Sequence, residues 1–338
     1  MPQAVDTIRD THLDAARGVG IFLVICGHLL EPTFLENGSI TAGPAFALWR
    51  IIYAFHMPFF FLVCGMTDRI IGLKRSSSES AVFLEFVFTA IVFSIIAYIP
   101  QFLLGNISIS DVLLCHILGQ RLGLAPLWFL IALAMVRFTY SLASKMVDGV
   151  AFWVVIAVFL ALSIFSANSQ YKVWYFQSIF GALPFYVFGR LMIADFLKVR
   201  VISGLCGLLI LLACSSRNFV HLAAGEYGDI GFFAASALGG CCFALAVISS
   251  MHGVALSVSV YLGRHSFELF IMSGIVLTAS PMMREMDNAA GIFLILLLGV
   301  PVQITLARLL RRPIIAIRRA VQIAIEVGRQ HTSAPARV

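Results

Sequence analysis

The chain has 338 residues, 60% of them hydrophobic and only 12% charged, with a formal net charge of +6; its mean hydropathy is +0.97. Soluble domains carry about 25% charged residues, so this composition excludes a soluble globular protein with a large core. The basic excess, thinly spread between apolar runs, reads as membrane orientation and not as a nucleic-acid surface. Backbone groups in lipid must be satisfied internally, which leaves helices or a closed barrel. The apolar runs are continuous and do not alternate with period two, so the expected class is an all-α integral membrane protein.

Ten spans are expected, in chain order near 16–34, 46–66, 81–104, 112–136, 150–166, 174–193, 200–214, 230–250, 257–280 and 290–310. The first is LDAARGVGIFLVICGH, from Leu13 to His28. Gly18 to Leu30 is apolar enough for a signal peptide, but no A-x-A-like site follows it, so the helix is expected to be retained. Eleven positions at about 100° each return His28 to within about 20° of the Arg17 face, roughly 16 Å along the axis. Asp14 stands one turn before Arg17, and Glu31 one turn after His28. The face thus carries a cation near one end and an imidazole deeper in, each with an acid beside it. Arginine suits phosphate, and a neutral histidine suits general-base work. An arginine at a helix end can also simply snorkel, and a lone histidine can satisfy a neighbouring helix. Together on one face they favour chemistry, because intramembrane ionisable groups are usually functional.

The second span contains FHMPFFFLVCGM, from Phe55 to Met66. Pro58 is expected to kink it and free a carbonyl in the preceding turn, which His56 could bond or which could open a cavity. The fourth span is interrupted by Gly119, Gly123 and Pro126 and could start as late as Pro126; Trp128 then sits at its beginning. The seven cysteines lie mostly in apolar runs with no C-x-x-C, so neither a disulfide framework nor a metal site is expected. Residues 1–310 form the expected transmembrane domain, and 311–338 a basic, partly amphipathic tail on anionic headgroups.

Orientation follows from the basic residues. Taking alternate connecting segments, 18 of the 23 Lys and Arg fall on the side of the termini and 5 on the other. The positive-inside rule therefore places both termini in the cytoplasm.

The chain resembles membrane-bound acyltransferase family 3, whose members include O-acetyltransferases of bacterial surface glycans. The matching pieces, in family order, are LDAARGVGIFLVICGH, FHMPFFFLVCGM, PLWFLIALAMVR from Pro126, GALPFYVFGRLM from Gly181 and LGRHSFELFIMSG from Leu262. The first two are the specific ones. The resemblance implies a multi-pass protein of the cell (inner) membrane with about ten helices. It implies transfer of an acyl group, usually acetyl, from cytoplasmic acyl-CoA to a carbohydrate hydroxyl. The donor acetyl-CoA is a substrate, with no bound cofactor and no metal. The partners are then the carbohydrate acceptor, acyl-CoA and the lipid bilayer, and no nucleic acid.

The resemblance puts Arg17 and His28 in the family's essential pair, with Trp128 and His56 in two further motifs. On the residues themselves, Arg17 with Asp14 would hold CoA phosphates. His28, with Glu31 and His56 setting its tautomer, would act on the acceptor hydroxyl or carry the acyl group transiently. Trp128 would stack on a sugar. One departure is Phe270-Ile271-Met272-Ser273, where the family pattern has tyrosine-leucine-x-histidine. A transporter or flippase could also use a buried Arg/His/Glu face, and a sensor or scaffold could bind lipid with it. The LD-x-x-RG and HMP pieces are not repeated internally, which counts against the common repeated-half transporters.

Overall fold

The computed structural model describes residues 3–36, 39–40, 43–72, 79–105, 107–118, 125–146, 149–169, 173–191, 199–278 and 288–333. Lys74, Arg75, Arg121, Lys172, Lys198, Arg284 and Arg337, all used in the orientation argument, lie outside these residues. Among the described residues the regular structure is helical apart from a short antiparallel ladder pairing Leu35 with Ile40 and a single bridge between His221 and Glu226. Its helices are α1 (Gln3–Phe34), α2 (Pro44–Tyr53), α3 (His56–Gly72), α4 (Glu79–Leu103), α5 (Ile109–Leu118), α6 (Trp128–Met146) and α7 (Val150–Ala167). They continue as α8 (Ile179–Leu191), α9 (Val201–Ser215), α10 (Ile230–Ser249), α11 (Gly253–Arg264), α12 (Ser266–Thr278), α13 (Ala289–Leu309) and α14 (Arg311–Ser333).

Six described segments are long and apolar enough to cross a membrane: Thr11–Glu31, Pro44–Ile70, Ser80–Leu103, Val150–Ala167, Ile230–Ser249 and Ala289–Leu309. Four expected spans differ from this set, each for a local reason. The fourth is divided: α5 ends at Leu118 and α6 begins at Trp128, behind a short 3-10 turn over Ala125–Leu127. Pro126 sits in that turn, where a missing N–H costs nothing. The sixth is the 13-residue α8, and the seventh is the short apolar α9. The ninth breaks at His265 into α11 and α12.

The second span is one crossing made of two helices. Pro58 has no N–H to offer the carbonyl four residues back and its ring crowds that turn. The helix accordingly breaks at Ala54 and Phe55 and restarts at His56. The His56 imidazole repairs the break, its Nδ1 lying 2.9 Å from the Ile52 carbonyl oxygen.

The segment at α1 is central, 67% of its span buried, whereas α7 and α13 are only 11% and 17% buried. The peripheral helices turn large apolar side chains such as Phe165, Leu209 and Phe293 outward, where water would penalise them and lipid does not. The core follows α1, α3, α6, α8 and α12, with Ile21, Ile25, Phe59, Phe61, Ile131 and Leu183 fully buried.

Lipid gives helices no hydrophobic reason to associate, so close approach of backbones matters. Two crossings show it. A methyl on Gly18 would stand 1.8 Å from the Ser259 carbonyl oxygen, and one on Gly263 would stand 1.8 Å from that of Asp14. These reciprocal glycines set α1 directly against α11. Likewise a methyl on Gly65 would lie 2.2 Å from the Tyr186 oxygen and one on Gly189 2.1 Å from the Leu62 oxygen, joining α3 to α8.

Candidate active site

The polar face of α1 borders two cavities. The first, about 690 Å³, is lined by Asp14 and Arg17 of α1, Thr67 of α3, Arg137 of α6, Arg264 of α11, Glu268 of α12 and three arginines of α14, among others. Asp14 organises one side of it. Its Oδ1 accepts from Arg17 Nη1 at 2.8 Å, and its Oδ2 accepts from Arg264 Nε at 3.1 Å. The Gly18–Gly263 contact makes this possible by bringing the end of α11 within reach of α1. Arg17 also donates through Nη2 to Thr67 Oγ1 at 3.2 Å, so its planar fork is fixed from two helices. Arg137 donates to Asp68 from Nε at 2.6 Å and from Nη2 at 2.5 Å. Tyr186 donates to the same carboxylate at 2.8 Å. Cations held by carboxylates in a partly enclosed space are an arrangement that can receive an anion.

The second cavity, about 80 Å³, is lined by His28, Glu31, Tyr53, His56, Trp128 and His221 together with apolar side chains. His28 Nδ1 and Glu31 Oε2 stand 3.6 Å apart, just beyond hydrogen-bond distance. Tyr53 OH donates to Glu31 Oε2 at 2.9 Å, and its ring packs 4.6 Å from that of His56. An imidazole beside an oriented carboxylate is equipped to take a proton from a hydroxyl. His56 has less freedom: it is 4% exposed and its Nδ1 is committed to Ile52, leaving Nε2 as its other ring nitrogen. Trp128 is a buried wall residue, 6.3 Å ring-to-ring from Tyr175.

The six sequence-derived residues thus divide between the two chambers. Asp14 and Arg17 line the cationic one; His28, Glu31, His56 and Trp128 line the other. The chambers share a wall, because Phe129 and Phe270 line both. Their rings meet edge-on at 5.6 Å, and Phe60 and Phe61 pack against Phe129 at 5.1 and 5.0 Å. Phe270 stands in the segment that departs from the family pattern, and it builds this partition instead of supplying a polar group.

Sequence reading missed Tyr53, Arg137, Arg264, the α14 arginines and His221. His221 lies in the α9–α10 connection, which is tied down by its own polar groups. Asn218 Nδ2 donates to the Tyr227 and Asp229 carbonyls at 2.9 and 3.2 Å. Gln177 Nε2 donates to Ala223 O at 2.9 Å and Ser178 Oγ to Leu222 O at 2.9 Å. These bonds press the loop onto the start of α8 and bring His221 to 5.9 Å from the Tyr53 ring. The only available signal was a polar stretch, RNFVHLAAGEYGD from Arg217, between two apolar runs.

The family model for an acyltransferase domain, that of acyltransferase family 3, matches residues 10–308, nearly the whole chain. The chain belongs to acyltransferase family 3. Comparison with curated proteins finds no match. The family makes this a membrane acyltransferase, and both chambers are built almost wholly from the matched span, α14 excepted.

Proposed function

We propose that this acyltransferase moves an acetyl group from cytoplasmic acyl-CoA to a carbohydrate hydroxyl presented from the other side of the cell (inner) membrane. One observation carries the reading: a cationic chamber and a histidine–carboxylate chamber lie along one helix face with only an aromatic wall between them. Phosphates of CoA bind in the first, against Arg17 with Asp14 holding it. The basic bias of the sequence puts that chamber at the cytoplasmic side. The thioester passes the Phe129–Phe270 partition and reaches His28. The acceptor hydroxyl gives its proton to His28 as its oxygen forms a bond to the thioester carbonyl carbon. The carbon–sulfur bond then breaks, and the imidazolium returns the proton to the departing thiolate. Glu31 stabilises the imidazolium, Tyr53 positions Glu31, and His56 and Trp128 wall the space in which the reacting hydroxyl meets the acetyl group. At 80 Å³, the chamber is roughly half the size of a cavity that admits benzene, which suits acetyl over longer chains.

Deleting the gene should abolish one acetyl ester on the surface glycan, read as acetate released by mild alkali. An unchanged ester pattern would count against a surface glycan as acceptor. Within the site, Tyr53→Phe removes the hydrogen bond that fixes Glu31. A bond to a charged group contributes about 1.5–3 kcal/mol, so kcat should fall roughly tenfold or more with KM for acyl-CoA unchanged. A rise in KM with kcat intact would place Tyr53 in donor binding instead.

A further inference from the structure

Helix α14 begins after the matched span, which ends at residue 308, yet it closes one side of the cationic chamber with Arg311, Arg318 and Arg319. It is a fixed part of the bundle. Ile314 and Val321, two turns apart, are buried, and Ile317 packs on the same core. Arg318 donates to Glu85 Oε1 from Nε at 3.2 Å and from Nη2 at 2.9 Å. Gln322 donates to the same oxygen at 2.6 Å. The Arg318 guanidinium also lies 4.8 Å over the Phe267 ring. Arg311 is held only by its Nε, at 3.3 Å from Glu268, and its remaining donors have no protein partner among the described residues. Arg319 makes no hydrogen bond or ion pair with any described residue. Six arginines line this chamber against two carboxylates, Asp14 and Glu268.

We propose, resting on the acyl-CoA reading above, that α14 is a phosphate clamp for the nucleotide end of the donor. Arg17 is the more buried of these cations, with 26% of its side chain exposed against 51% for Arg311 and 37% for Arg318. A ligand with phosphates at one end and a thioester on a long arm would engage α14 first and extend past Arg17. The geometry favours a soluble polyanion over lipid headgroups as the ligand of this helix. Ile314, Ile317 and Val321 pack on the bundle, and the basic edge beside them lines the partly enclosed chamber. Glu268 takes only the Nε of Arg311, and Glu85 takes the Nε–Nη2 side of Arg318, which leaves the Nη1 side of each guanidinium, and the whole fork of Arg319, for phosphate.

The probe is adenosine 3′,5′-bisphosphate, the nucleotide portion of CoA without its thioester arm. Its binding is measured calorimetrically on the full chain in nanodiscs of zwitterionic and of anionic lipid. Wild type should bind it in both. Arg318→Gln/Arg319→Gln should bind it about tenfold or more weakly, the scale of one lost charged hydrogen bond. Arg319→Gln alone, which removes no protein contact, should weaken it in the same direction and cannot act through misfolding. Equal binding by the variants, or none by wild type, overturns the clamp. A defect confined to anionic nanodiscs overturns it in favour of a lipid-binding helix. The fate of the reaction reading is separate: a wild type that binds the nucleotide but transfers no acyl group from acetyl-CoA keeps the clamp and loses the acyl-transfer mechanism.

Discussion

His28→Ala should lower acyl transfer by about 10²- to 10⁴-fold, the usual contribution of a positioned general base. The protein should still insert and fold. His28 lines a small cavity and its Nδ1 has no hydrogen-bond partner among the described residues, so alanine there gives up only the 3.6 Å contact with Glu31. The loss should appear in kcat, because the proposed mechanism holds the phosphates in the other chamber. Glu31→Gln should produce a smaller defect in the same direction: the imidazolium loses the carboxylate 3.6 Å away, while the base itself remains. A His28→Ala protein that folds and turns over normally would remove histidine from the chemistry. A rise in KM for acyl-CoA alone would move it to donor binding.

Gly18→Val should be severely damaging to folding. The obstacle is the Ser259 carbonyl, 1.8 Å from where the first side-chain carbon would go. A carbonyl has no alternative rotamer, so α1 and α11 must part. Overpacking typically costs about 1–3 kcal/mol when side chains can adjust; here they cannot, and total stability is only about 5–15 kcal/mol. Separation would also pull Arg264 away from Asp14, loosening the support of Arg17. The folded fraction in detergent, followed by size exclusion and thermal unfolding, should collapse. Gly328→Ala is the contrast, because no atom lies within 4 Å of its added methyl and alanine favours helix by about 1 kcal/mol. Equal tolerance of both substitutions would contradict the close crossing.

What could be read from the sequence followed a simple division. Features repeated along one helix were legible. The Arg17–His28 face, the acids one turn outside it and the break before Pro58 all follow from a single period or a missing N–H. Features built between helices were not. Tyr53 reaches Glu31 only because α2 leans on α1, and Arg264 reaches Asp14 only because two glycines allow contact. His221 enters through a loop whose shape depends on Asn218 and Gln177. Six of the ten expected spans appear as single long apolar segments; the others fall on shorter or divided helices. Hydropathy over 257–280 reads as one run, whereas the chain turns at His265. The alternation of basic and apolar residues in the tail fits a bilayer surface, and part of the same apolar face, Ile314 and Val321, is buried against the bundle.

The reading as a whole turns on donor and acceptor meeting from opposite sides at His28. The most direct measurement uses the purified protein in sealed proteoliposomes of known orientation, with labelled acetyl-CoA supplied only to the side bearing Arg17 and α14. A glycan acceptor is placed only on the other side. Label should accumulate on the glycan across the membrane, and His28→Ala should stop it. Label appearing only when donor and acceptor share one side would contradict the two-chamber route.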